Sequence, residues 1–135
     1  MFLIDTVTVS ELRRRKRDPA VVAWFEKQRT SDLFLSVISI GEIERGISRQ
    51  RASEPEFADK LTAWLDRVLV LYGERVLPFD LSMARRWGAL SATLGNDSAD
   101  LMIAATALER GLTVVTRNIS DFEPTGVAAL NPFSR

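Results

Sequence analysis

Four acidic residues, Asp5, Glu42, Asp100 and Asp121, stand where an alternating α/β chain could put them to chemical use. Asp5 directly follows the apolar run Phe2 to Ile4, and Glu42 comes one helical turn after the apolar run Leu33 to Ile38. Asp121 follows the run Leu112 to Val115, and Asp100 opens a helical stretch in which Ile103, Ala104 and Ala107 share a face. Brought into one pocket, such carboxylates raise one another's pKa unless a cation neutralises them. A divalent metal is the economical answer, and an oxygen-only donor set favours Mg²⁺ or Mn²⁺ over zinc or copper. The composition closes most other routes. The chain has no cysteine and no histidine. That excludes disulfides, thiolate nucleophiles, iron–sulfur clusters, histidine-ligated metals, an imidazole base and a Ser–His–Asp triad.

Each acid also has an ordinary explanation. Asp5 fits an Asx-turn or helix cap. Glu42 forms an S-x-x-E capping box with Ser39. Asp100 sits favourably at a helix N-terminus, and Asp121 fits a solvated polar loop. Spacing alone leaves both readings open.

The elements that must position these residues follow from hydrophobic patterning. Phe2 to Ile4 reads as a buried strand and Thr6 to about Lys16 as a helix ending in basic residues. Asp18-Pro19 opens a second helix reaching about Arg29. Leu33 to Ile38 is a second strand, and Ser39 begins a third helix. Ser53 and Glu56 cap a long helix carrying Phe57, Leu61, Trp64, Leu65 and Val68, with Gly73 just past its end. Arg75 to Phe79 is a short strand limited by Pro78. Asp80 caps a helix broken at Gly95-Asn96, and Ser98 to Arg110 forms another, stopped by Gly111. Leu112 to Val115 is a strand, and Val127 to Leu130 a weaker last one. Strands alternating with helices predict an α/β fold with a mainly parallel central sheet of four or five strands, covered by helices on both faces. In such sheets the ligand crevice lies at the carboxyl ends of the strands, where these acids fall. Trp24, Trp64 and Trp87 lie on apolar helix faces and are read as packing residues.

The 135 residues, 46% of them hydrophobic, are read as one domain spanning 1–135. Eighteen basic and eighteen acidic residues cancel to a net charge of zero, so phosphate binding must come from a local arrangement. Arg13 to Arg17 is the densest positive patch. No run approaches the ~18 apolar residues of a membrane span. The basic residues follow the N-terminal apolar stretch, the reverse of a secretory signal, so a mature cytoplasmic protein is expected.

Phe2-Leu3-Ile4-Asp5-Thr6, with Ser10-Glu11-Leu12 after it, resembles the opening of PIN-domain proteins. Ser36 to Gly46 (SVISIGEIERG) resembles their second motif, centred on Glu42. Ala99 to Ala105 (ADLMIAA) resembles the third, on Asp100, and Thr116 to Phe122 (TRNISDF) the fourth, on Asp121. Four motifs in order are specific, and the chain is similar to the VapC-type toxins of bacterial toxin–antitoxin pairs, including the FitB-like group. The resemblance implies a Mg²⁺- or Mn²⁺-dependent endoribonuclease whose metal is held by Asp5, Glu42, Asp100 and Asp121. Thr6, Ser39, Thr116 and Asn118 would hydrogen-bond around them, and Arg117 and Arg14 would meet substrate phosphate. It also implies a homodimer inhibited by a cognate VapB-like antitoxin, with operator DNA bound only through the antitoxin. The chain departs from the family in having Val7 where an asparagine usually follows Asp-Thr, which removes an amide near Asp5.

Other readings are a PIN-type nuclease acting outside any toxin system, and a catalytically weak partner of a DNA-binding regulator. A phosphoacceptor receiver domain would need a lysine after a late strand, and none occurs beyond Lys60. GxxxxGK and GxGxxG loops are absent.

Overall fold

A computed structural model describes residues 1–134. Five strands form one sheet in the order β3-β2-β1-β4-β5, with every neighbouring pair parallel. The strands are β1 (Phe2–Ile4), β2 (Leu33–Ser36), β3 (Val76–Leu77), β4 (Thr113–Val115) and β5 (Ala129–Leu130). The helices are α1 (Thr6–Glu11), α2 (Pro19–Lys27), α3 (Val37–Arg51), α4 (Pro55–Tyr72), α5 (Leu81–Leu94), α6 (Ala99–Arg110) and the single turn α7 (Ile119–Phe122). The chain starts in the middle of the sheet, builds outward through β2 and β3, then returns to add β4 and β5 on the other side of β1. The reversal lies between β1 and β4, which is where a crevice opens in sheets of this kind.

Alternation along each strand divides the core into two layers. Ile4 and Val115 point to the side covered by α1, α3 and α4, where they meet Val9, Ile43, Ile47, Leu65 and Val68. Their neighbours Leu3 and Val114 point to the other side and meet Ile103, Ala104 and Phe122 of α6 and α7. Leu3, Ile4, Val114 and Val115 are all fully buried, as a strand covered on both faces requires. Trp24 packs edge-on against Phe2 at 5.0 Å between ring centroids, and Trp64 packs against the first layer.

Several boundaries differ from those expected from sequence. The first helix ends at Glu11, not near Lys16. Five consecutive basic residues supply no apolar side chain to bury, and the Glu11 carboxylate accepts from Asp18 N at 2.8 Å, drawing the chain back toward α2. The third helix begins three residues early. Its cap is Ser36, whose hydroxyl accepts from Ile38 N at 3.0 Å, so Ser39 and Glu42 are not a capping box. Ser53 does not cap α4 either; Glu54 holds that position and Pro55 starts the helix. Asp80 does cap α5, accepting from Met83 N at 3.0 Å. Gly95 and Gly111 end α5 and α6 in the left-handed conformation, at φ 71° and 65°, which glycine adopts without steric cost.

Candidate active site

The site is built outward from Asp5. β1 and β4 run side by side with Ile4 opposite Val115, so Asp5 and Thr116 leave the sheet together. Asp5 is both the end of β1 and the cap of α1, with its Oδ1 accepting from Thr6 N at 2.8 Å. Its other oxygen, Oδ2, accepts from Thr116 Oγ1 at 2.9 Å. Asn118 contributes its backbone N–H, which donates to Thr116 Oγ1 at 3.0 Å; its side chain is not the cap of α7. Both oxygens of Asp5 are therefore partnered without the amide that Val7 replaces, and Val7 itself faces solvent.

Thr6 connects Asp5 to Glu42. Its hydroxyl donates to Glu42 Oε1 at 2.7 Å and lies 2.9 Å from Ser39 Oγ in a second hydrogen bond. Ser39 is fully buried. The early start of α3 is what frees Glu42 from capping and turns it toward Thr6.

Asp100 is the second residue of α6. With Asp121 it lines a cleft of about 680 Å³ that also holds Asp97, Ser98 and Ser120. Asp121 lies in the turn of helix α7, not in a loop. Thr6 and Glu42 line a neighbouring groove of about 250 Å³.

The electrostatics link the four acids. Burial pushes the Asp5 carboxyl up to about 6; the hydrogen bonds from Thr116 and Thr6 oppose this, and the charges of Asp100 and Glu42 add to it. Asp100 is raised as well, first by burial and then by the charges of Asp121 and Glu42. Among the described residues none of the four makes an ion pair. No group of three or more acids among the described residues stands close enough to cage a metal ion unaided. The arrangement is an anionic, oxygen-only centre.

The two basic residues expected near substrate sit differently. Arg117 is exposed and stacks over the Phe133 ring, 4.3 Å from its centroid. Arg14 pairs with the buried carboxylate of Glu11 at 3.1 Å. Sequence reasoning did not single out Arg13, which lines the Glu42 groove. Nothing in a run of five basic residues distinguishes one member from the next.

The PIN domain is matched over residues 2–124. The chain belongs to the PIN-domain family. Named relatives match it over 98% of its length. It is 37% identical over 140 residues to the VapC ribonuclease Y4jK of Sinorhizobium fredii, covering 98% of each chain. It is 33% identical over 139 residues to Toxin FitB of Neisseria gonorrhoeae, covering 98% of this chain and 99% of that one. Among solved structures, FitAB bound to an IR36 DNA fragment superposes with a TM-score of 0.87 at 31% identity, covering 100% of this chain and 97% of that one.

Proposed function

We propose that this PIN-domain chain is the ribonuclease toxin of a toxin–antitoxin pair, a Mg²⁺-dependent endonuclease that hydrolyses RNA and accepts Mn²⁺ as well. The observation that carries the reading is the gathering of four sequence-distant carboxylates with, among the described residues, no ion-pair partner, two of them pushed up first by burial and then by the charges of the others. The ribonuclease and toxin names of its full-length relatives agree with it. Asp5, Asp100 and Asp121 would hold the cation partly through water, with Glu42 beside it, since among the described residues no three acids stand close enough to ligate it directly. When bound, such a cation lowers the pKa of water and offsets charge on the phosphodiester.

The chain's own residues supply the rest. Thr6 and Thr116 clamp Asp5 before substrate arrives, so its orientation costs nothing at the moment of reaction. Glu42, aimed by the Thr6 hydroxyl, is placed to accept the proton of the attacking water; without histidine, a carboxylate is the side-chain base at hand. Attack in line with the leaving 3′-oxygen yields a 5′-phosphate and a 3′-hydroxyl.

A cognate VapB-like antitoxin is the proposed inhibitor, and operator DNA would be met through it, in keeping with the DNA-bound FitAB structure. A cytoplasmic homodimer is the proposed working form. Among the described residues no helix is long and apolar enough to cross a membrane. The test is cleavage of total RNA by the purified chain with Mg²⁺, its arrest by EDTA, and its loss in Asp5→Asn and Asp100→Asn proteins of unchanged circular dichroism. Wild-type rates in both variants would overturn the assignment.

A further inference from the structure

A second groove, of about 410 Å³, lies between the α1–α2 connection and α4. Four basic residues line it: Arg13, Arg17, Lys60 and Arg67. Among the described residues none of the four makes an ion pair. Phe57 and Trp64 line it too, and Phe57 is 39% exposed. Arg13, Phe57 and Trp64 also line the groove that contains Thr6 and Glu42, so the two grooves share a wall and the basic one adjoins the groove that holds Glu42.

The basic connection is held in place from both ends. Glu11 accepts from Asp18 N and binds Arg14. Asp18 in turn accepts from Ala20 N at 2.8 Å and from Ser134 N at 2.9 Å. Arg17 Nε donates to Arg14 O at 3.3 Å. Arg14 is thereby committed to Glu11, while Arg13 and Arg17 line the groove.

We infer that this groove is the track along which single-stranded RNA reaches the acid centre, with phosphates on Arg13, Arg17, Lys60 and Arg67 and bases against Phe57 and Trp64. The inference rests on reading the acid centre as the place of RNA cleavage. A phosphate chain approaching four carboxylates is repelled, and a chain of zero net charge offers no bulk attraction to offset that. Cations without acidic partners beside the repelling centre supply it locally. Cationic grooves with aromatic faces hold single strands by backbone attraction and base stacking. An acidic polypeptide would satisfy the cations but gives no reason for the groove to share a wall with the one that holds Glu42.

The test is fluorescence anisotropy of a short labelled single-stranded RNA on the Asp100→Asn protein, which binds without cutting. Lys60→Glu/Arg67→Glu should weaken binding about tenfold or more and flatten the salt dependence by about 1.4 in log–log slope, the share of two phosphate contacts. Arg85→Glu/Arg110→Glu makes the same change in net charge away from the groove and should leave both nearly unaltered. Equal affinity and slope in the groove variant would overturn the track. So would loss of binding to a polyglutamate peptide with RNA binding retained, which would assign the groove to an acidic polypeptide. Cleavage by the wild-type chain is read separately: cutting that ignores the groove sinks the track alone, whereas RNA held in the groove and never cut sinks the nuclease reading.

Discussion

Thr116 Oγ1 donates to Asp5 Oδ2 at 2.9 Å across 111 positions of sequence. The contact exists because β1 and β4 are adjacent and parallel, with Ile4 facing Val115. It lowers the pKa of a carboxyl that burial raises, so it keeps Asp5 ionised at neutral pH.

Removing that donor should therefore show in the pH dependence of cleavage. Thr116→Val should move the acid limb upward by about one pH unit, the worth of a hydrogen bond to a charged group of about 1.5 kcal/mol. A pH–rate profile of kcat/KM checks it; an unmoved limb would mean that another group controls it.

Asp5 should cost the metal-free fold stability. Its folded pKa of about 6 lies above the 3.8 of an ordinary aspartate. Its favourable contribution is complete below about pH 4 and is lost as pH rises through about 6. Without metal, thermal stability attributable to Asp5 falls over that window. Asp5→Asn should flatten the profile and raise stability at pH 7.5, by at most about 3 kcal/mol. Thr116 can keep its contact, because a hydroxyl accepts from an amide as readily as it donates to a carboxylate. Melting curves in EDTA decide, and a less stable Asn variant at pH 7.5 would contradict the assignment.

Cation binding should show the opposite pH trend. Ligand carboxylates must be deprotonated to bind, so Mn²⁺ or Mg²⁺ should raise Tm at pH 7.5 and do little at pH 5. At a hundredfold excess over Kd the gain is about 2.7 kcal/mol. Asp100→Asn should abolish most of it, as read by differential scanning fluorimetry.

Thr6→Val removes the hydroxyl that aims Glu42 while keeping the side-chain shape. Loss of such a supporting contact typically costs 10- to 100-fold in activity or metal affinity, and a drop of about that order is expected here with an unchanged far-ultraviolet spectrum. Activity within twofold of wild type, a limit of about 0.4 kcal/mol, would show that Glu42 needs no alignment.

Much of the site was legible because it sits where strands end. Asp5 and Thr116 are the first residues past apolar runs, and those runs had to be strands since no polar residue interrupts their burial. The path from Thr6 to Glu42 was less legible. Ser36 and Ser39 both precede a helical stretch, and only the extended backbone at Ser36 shows which one caps it. Asp121 read as loop because one helical turn leaves no periodicity. The stacking of Arg117 on Phe133 was not legible, because the ring comes from a segment after the last strand.

The central position of β1 ties activity to the completion of synthesis. The first strand made waits for β4 as its second neighbour, and Asp5 gains Thr116 only after more than a hundred further residues have been added. An unfinished chain on the ribosome holds Asp5 but lacks Asp121, so a translation product that stops short of α7 should be unable to harm the cell that made it.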